Sequence, residues 1–117
     1  MKRAIGLSVA LAFVPLTQAA DLEAGKAKVA TVCAACHGAN GVSVSDTIPN
    51  LAGQRAPYLE AQLKALKDGT RKNPIMSAMA AQLSPTEIAD VAAFFASLPG
   101  ASGTAKSAQR PTSPGPA

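Results

Sequence analysis

Residues 33–37 read CAACH, and they contain both cysteines and the only histidine of a 117-residue chain. Cys33 and Cys36 are three positions apart, so on a helical turn their side chains project from the same side. His37 follows directly. Two thiols and one imidazole within five positions indicate a single chemical site, and the rest of the sequence helps to decide which kind of site it is.

Four kinds of site use residues of this type. A disulfide between Cys33 and Cys36 would close a short loop and stabilise the fold little. A thiol–disulfide oxidoreductase motif normally begins a helix after a strand, whereas this one follows a predicted helix. A zinc site needs a fourth ligand, and the chain has no further Cys or His. The fourth kind is covalent haem attachment, for which C-x-x-C-H is the signature.

Haem attachment accounts for each of the three residues. The two thiols can add to the two vinyl groups at one edge of the porphyrin, and His37 can turn under the ring to reach the iron. The second axial position then needs a ligand that is not a histidine. Outside the N-terminal Met1, the chain offers Met76 and Met79, both in a loop predicted over residues 70–83. The sequence therefore predicts one covalently bound haem c.

The N-terminus has the pattern of a secretory signal. Two basic residues precede an uncharged, mostly apolar run over positions 4–16, and small residues follow it. That run has 13 residues, whereas a membrane-spanning helix needs about 20. We predict a signal peptide over residues 1–20, cleaved after Ala20 or, as the second choice, after Ala19, and export to the periplasm.

The remaining chain divides into a folded domain, residues 21–99, and a tail, residues 100–117. The tail is rich in Pro, Ser, Gly and Ala and has no large apolar residue, so it is predicted to be disordered. Without the signal peptide, nine basic and seven acidic residues remain, a net charge of +2. So small a charge argues against a nucleic-acid partner.

Three helices are predicted in the domain, and no segment has the pattern of a strand. The first covers about residues 22–33, and the second about residues 57–67. The third covers about residues 85–98 and begins with a capping box, in which Ser84 is the N-cap and Glu87 lies three residues on. The fold class is therefore all-α.

The predicted core is too small for a domain of this size. Tyr58, Phe94 and Phe95 are its only aromatic residues, and alanine supplies much of its apolar fraction. Small domains usually need a staple or a bound group to be stable. This composition is a second indication that a large apolar group completes the core.

Three segments carry a resemblance to a known family: GKAKVATVCAACHGANG at 25–41, IPNLAGQRAPYLEAQL at 48–63 and NPIMSAMAAQLSPTEIADVAAFFASL at 73–98. In this order they resemble a class I cytochrome c of the small, soluble bacterial type, and also one half of a periplasmic diheme cytochrome c. The resemblance implies the small cytochrome c fold, with about three main helices and long loops around the haem.

The resemblance also implies roles for particular residues. The axial methionine of such proteins stands seven residues before the leucine that precedes the last helix. Counted back from Leu83, this residue is Met76, and Met79 would pack nearby. Pro49 resembles the proline whose carbonyl accepts a hydrogen bond from the haem histidine, here His37.

Two further positions are marked by the resemblance. Gly25 corresponds to the glycine where the first helix crosses the last, near Phe94 and Phe95. Ser77 stands where many relatives have proline, which predicts a less rigid ligand loop.

The implied function is electron transfer without catalysis, by a monomer. The implied partners are periplasmic or membrane redox proteins such as a terminal oxidase or reductase. Two alternatives remain at this point. One is a haem-c subunit or module of a larger redox enzyme, and the other is a haem sensor with an exchangeable sixth ligand.

Overall fold

The computed structural model describes residue 6, residues 8–13 and residues 19–101. The rest of the predicted signal peptide, and residues 102–117 of the predicted tail, lie outside the described residues, so both segments stay predictions. In residues 8–13 the apolar side chains Val9, Leu11 and Phe13 are exposed. No helix within the described ranges is long and apolar enough to cross a membrane.

The CAACH segment ends a run of consecutive helical turns. α1 spans Leu22–Lys28, a π-helix spans Val29–Cys33, and α2 spans Ala34–His37. The helix predicted over residues 22–33 was therefore too short, since the helical turns continue to His37. They end there because Gly38 adopts a positive φ of 80°, a conformation that glycine takes without strain.

The two longer helices are confirmed. α3 spans Ala56–Asp68 and α5 spans Pro85–Ser97, each within one residue of the predicted bounds. The capping box of α5 is present: the Ser84 hydroxyl accepts from the Glu87 N–H at 3.1 Å, and the Glu87 carboxylate accepts from the Ser84 N–H at 3.0 Å. No strand occurs among the described residues.

A fourth element, α4, spans Met76–Ala81 and packs against α3. This segment was predicted to be part of a loop, and that prediction was wrong. Six residues are too few for an apolar stripe to recur, so hydrophobic periodicity gives no signal for such a helix. Both candidate methionine ligands therefore stand on a helix.

α1 and α5 cross at Gly25. A Cβ atom added at this position would lie 2.7 Å from the carbonyl carbon of Asp90 and 3.0 Å from the Cβ of Phe94. Only glycine leaves room for so close an approach. The crossing that the resemblance implied is therefore present.

The buried core lies between the π-helix, α3 and α5. Its members are apolar side chains of modest size, namely Val29, Leu59, Leu83, Ile88, Val91, Ala92 and Phe95. Around it lie apolar side chains that are only partly buried, namely Cys33, Leu51, Ala56, Leu63, Phe94 and Leu98. A rim of half-buried apolar side chains that includes a cysteine of the CAACH segment suits a large apolar group bound at that cysteine.

Candidate functional site

The two cysteines lie at the C-terminal end of the first helical run. Both are free thiols. Cys33 is half-buried and Cys36 is exposed. Burial raises the pKa of the Cys33 thiol above its ordinary value of 9.0, and the charge of Lys28 offsets only part of that effect. A redox-active C-x-x-C motif instead lowers the pKa of a thiol, usually at a helix N-terminus. The oxidoreductase interpretation therefore has no support here.

His37 is buried, and its ring is fixed by one backbone group. Nδ1 lies 2.8 Å from the carbonyl oxygen of Pro49. A carbonyl oxygen can only accept, so Nδ1 carries the proton and donates it. In the neutral ring Nε2 is then the nitrogen with the lone pair, and it makes no hydrogen bond within the described residues. The imidazole is thus in the tautomer that a metal ligand needs.

The loop between α2 and α3 is folded back so that Pro49 reaches His37. The carbonyl oxygen of Gly41 accepts from the N–H groups of both Leu51 and Ala52, at 2.9 and 3.0 Å. Gly41 has a φ of +73°, and a Cβ there would lie 2.7 Å from the Ala52 nitrogen. The sequence analysis gave no role to Gly41. The only sequence feature that could have indicated this role is a glycine within the long irregular segment before Asn50.

Asn50 was also missed. Its Oδ1 accepts from the Ser43 N–H at 2.6 Å, which identifies the other side-chain atom as Nδ2. Nδ2 is buried and has no hydrogen-bond partner among the described residues. A buried amide without a partner costs free energy, so it indicates a group that could accept from it. The two carboxylates of haem are such acceptors.

Met76 and Met79 are both half-buried on α4. The Met76 N–H donates to the Asn73 side-chain oxygen at 2.8 Å. The Met79 sulfur faces the Gln82 amide nitrogen at 3.9 Å. Among the described residues, no hydrogen bond joins either methionine to the CAACH segment. The structure therefore joins His37 to Pro49 by a hydrogen bond. It places both methionines on α4, which shows no hydrogen bond between them and the CAACH segment within the described residues.

These residues suit haem c. Two unpaired thiols, a histidine with its lone pair on Nε2, two thioether sulfurs and an incomplete apolar core are all present. A family model described as cytochrome c matches residues 22–99.

The chain belongs to the cytochrome c family.

Individual cytochromes c support this assignment. Cytochrome c-554(548) of Halomonas halodenitrificans is 46% identical over 82 residues, which cover 68% of this chain and 98% of that protein. Cytochrome c4 of Pseudomonas aeruginosa is 44% identical over 97 residues, which cover 82% of this chain and 48% of that protein. The crystal structure of reduced recombinant cytochrome c4 from Pseudomonas stutzeri superposes with a TM-score of 0.67 at 41% identity, covering 73% of this chain and 49% of that one.

The comparisons confirm four predictions: the family, the all-helical cytochrome c fold, the covalently attached haem c, and electron transfer as the function of the homologues. This cytochrome c chain spans nearly the whole of the Halomonas relative but about half of the cytochromes c4 that it matches. That difference bears on whether it acts alone.

Proposed function

We propose that this cytochrome c is a single-haem electron carrier of the periplasm, with Cys33 and Cys36 as the attachment residues and His37 and Met76 as the axial ligands. The observation that carries the proposal is the hydrogen bond from His37 Nδ1 to the Pro49 carbonyl, at 2.8 Å. In the neutral ring this hydrogen bond leaves Nε2 as the only nitrogen with a lone pair to give to a metal ion. It therefore supports a metal-binding role for His37 rather than a structural one.

Attachment uses the two thiols as they stand. Each S–H bond would add across a vinyl C=C bond of the haem, so that sulfur and hydrogen join the two carbons with no net gain or loss of electrons. The half-buried Cys33 packs against the core, and Cys36 is exposed. The two thioethers would therefore hold the group at the open edge of the core.

The Pro49 carbonyl acts on His37 in two ways. It fixes the orientation of the ring, and it accepts the Nδ1 proton and so makes Nε2 a stronger donor. When bound, haem c supplies an iron that accepts and releases one electron. A ligand that is already oriented keeps its position in both charge states, and little rearrangement is then needed on each transfer.

Met76 is the better candidate for the second axial ligand. The resemblance places it at the ligand position, and its backbone is held by Asn73. The sulfur of Met79 already has a polar neighbour in the Gln82 amide. A thioether is a weak donor that favours the reduced iron and raises the potential. With two protein side chains as ligands, no axial position is left for a substrate, which supports a carrier rather than an enzyme or a sensor.

The proposed location rests on the signal-like N-terminus, and the proposed class of partners rests on the similarity to cytochromes c. The signal-like N-terminus supports the periplasm, and the exposed Val9, Leu11 and Phe13 have no place in the core. The partners are redox proteins, and a terminal oxidase or reductase fits the proposed carrier. The match over nearly the whole length of cytochrome c-554(548) supports a carrier similar to that protein.

A second candidate function, that of a haem module, rests on the length comparison with the cytochromes c4. The chain spans about half of the cytochromes c4, so it could work as one haem module docked to a second redox domain. Size-exclusion chromatography separates the two candidates, since a lone carrier elutes as a monomer and a module elutes with its partner.

The intact mass and the thiol content of the exported protein test the proposal. The mature chain plus one haem, with no titratable thiol after unfolding, is the expected result. The unmodified chain with two free thiols would overturn it.

A further inference from the structure

Two polar side chains fix the start of α4, on which Met76 stands. The Asn73 Oδ1 accepts from the N–H groups of Ile75 and Met76, at 3.0 and 2.8 Å. The Asn73 N–H donates to the Ser77 hydroxyl at 3.0 Å, and the Ser77 N–H donates to the Asn73 carbonyl oxygen at 2.9 Å. We call these four hydrogen bonds the Asn73–Ser77 clasp.

The side chains at the start of α4 are at most half-buried, although α4 packs against α3. Ile75 is 69% exposed, Met76 and Met79 are half-buried, and Ala80 is the only buried residue of α4. A helix of six residues does not persist by its own propensity. The clasp satisfies the N–H groups that every helix start leaves open, as an N-cap does. It therefore sets the direction in which the Met76 side chain leaves the backbone.

The hydrogen bonds of Ser77 bear on the expectation of a less rigid ligand loop, which stays a prediction. A serine where many relatives have proline predicted a less rigid segment. In the structure Ser77 both accepts through its hydroxyl and donates through its N–H. Proline has neither group. Hydrogen bonding here replaces the stiffness that a proline ring would give.

We propose that Asn73 and Ser77 are positioning residues for Met76, and that their clasp sets how often this side chain leaves the iron. The inference rests on the proposed function, in which Met76 is the axial ligand. Loss of the clasp would leave the ligand in place most of the time but would raise the fraction of molecules with an open sixth position.

The binding rate of carbon monoxide to the reduced holoprotein reports that fraction, because carbon monoxide binds only when the methionine is away. Asn73→Ala and Ser77→Ala should each raise the rate by roughly fivefold, the effect expected when one cap interaction is lost. Ser77→Thr keeps the hydroxyl and should remain close to the wild-type rate.

Ser84→Ala is the matched control. It removes the N-cap of α5, whose hydroxyl accepts from the Glu87 N–H, and should lower stability by a similar amount. It should leave the carbon monoxide rate unchanged, because Ser84 does not hold Met76. Equal rates for Ser77→Ala and Ser84→Ala would overturn the positioning role.

Met76→Ala distinguishes failure of this inference from failure of the proposed function. If Met76→Ala binds carbon monoxide at once while the clasp variants behave like the control, only the clasp proposal is wrong. If Met76→Ala behaves like the wild type, the ligand assignment itself is wrong.

An independent observation concerns Asp90, a buried carboxylate that the proposed function does not use. It is 7% exposed, and its Oδ1 accepts from the backbone nitrogen of Asp21 at 2.8 Å. Neither of the two ion pairs among the described residues includes it. Buried carboxylates usually have a positively charged partner.

We propose that cleavage after Ala20 supplies this partner. Hydrolysis of the Ala20–Asp21 peptide bond leaves a carboxylate on Ala20 and turns the Asp21 nitrogen into an α-ammonium group beside Asp90. The Asp21 side chain meanwhile caps α1 through the Ala24 N–H. Removal of the signal peptide would thus complete an ion pair between the start of α1 and the middle of α5.

Mass spectrometry of the exported holoprotein should find Asp21 as the first residue. A variant with Ser-Gly inserted before Asp21 moves the ammonium away and should lower the thermal midpoint by a few degrees, about what one lost interaction gives in a small domain. In Asp90→Asn, which keeps a side-chain oxygen as acceptor, the same insertion should have no effect. A first residue other than Asp21, or equal shifts in both backgrounds, would overturn the proposal.

Discussion

Gly25 lies so close to Asp90 that a single added methyl group has no room between α1 and α5. The added Cβ would be 2.7 Å from the Asp90 carbonyl carbon, which belongs to the backbone of a helix and cannot turn away. Asp90 also accepts from the backbone nitrogen of Asp21, at the start of α1. The contact between the first and last helices is therefore fixed at two neighbouring points.

Gly25→Ala should separate the two helices. Alanine has a better helix propensity than glycine by about 1 kcal/mol, but overpacking against rigid backbone costs about 1–3 kcal/mol or more. We expect a net loss of about 2 kcal/mol in the free energy of unfolding, measured by urea denaturation. Gly100→Ala is the control, since nothing lies within 4 Å of a Cβ there. Equal stability of the two variants would contradict the crossing.

The ion pair between Lys28 and Glu87 joins the same two helices. The hydrogen bond from Lys28, followed by that from the Ser84 N–H, lowers the pKa of Glu87 from 4.5 to about 2. A lowered pKa in the folded state stabilises the fold above pH 4.5, and this contribution is lost as the pH falls towards 2. Glu87→Gln keeps the capping box but removes the charge.

The stability difference between the wild type and Glu87→Gln should therefore be largest near pH 7 and should shrink between pH 4.5 and about 2. Urea midpoints at several pH values measure it. Glu60→Gln, which breaks the exposed pair with Lys64 at 3.5 Å, should change the midpoint less. A Glu87→Gln difference that is constant with pH would show that the ion pair contributes nothing.

The two cysteines test whether the haem is part of the core. Cys33→Ser combined with Cys36→Ser should prevent attachment and leave the partly buried apolar rim that includes Cys33 without the proposed haem to cover it. We expect little folded protein, seen as a loss of helical circular dichroism and of exported yield. A stable, cooperatively unfolding haem-free domain would mean that the protein core is sufficient by itself.

The two methionines test the axial ligand. Met76→Ala should give a reduced protein that binds carbon monoxide rapidly. Met79→Ala should remain closed and lose only half-buried packing, about 1–2 kcal/mol of stability. The reverse result would assign the ligand role to Met79.

The parts of the fold that were predictable from the sequence are those with a strong local signal. The capping box at Ser84 predicted α5 to within a residue. Leu59, Leu63 and Leu66 are spaced by four and three positions, the helical periodicity that is expected of α3. Gly25 was identified through the family resemblance, and the close approach to Asp90 gives the physical reason for a glycine there.

Other features were not predictable because they depend on contacts distant in sequence or on very short segments. α4 has too few residues for periodicity, and its start is set by side-chain hydrogen bonds of Asn73. The π-helix over Val29–Cys33 has no composition that distinguishes it from an α-helix. The path that brings Pro49 to His37 depends on the carbonyl oxygen of Gly41. The buried amide of Asn50 is visible only once that loop is folded.

We propose that two side chains of this chain, His37 and Met76, close both axial positions of a covalently bound haem. The most direct test is the absorption spectrum of the purified exported protein, oxidised and reduced, with and without carbon monoxide. We expect a low-spin c-type spectrum, a weak far-red band from methionine bound to the oxidised iron, and no immediate shift on addition of carbon monoxide, which can bind only slowly as Met76 leaves the iron. A high-spin spectrum that shifts as soon as carbon monoxide is added would contradict this ligation and favour an enzyme or a sensor.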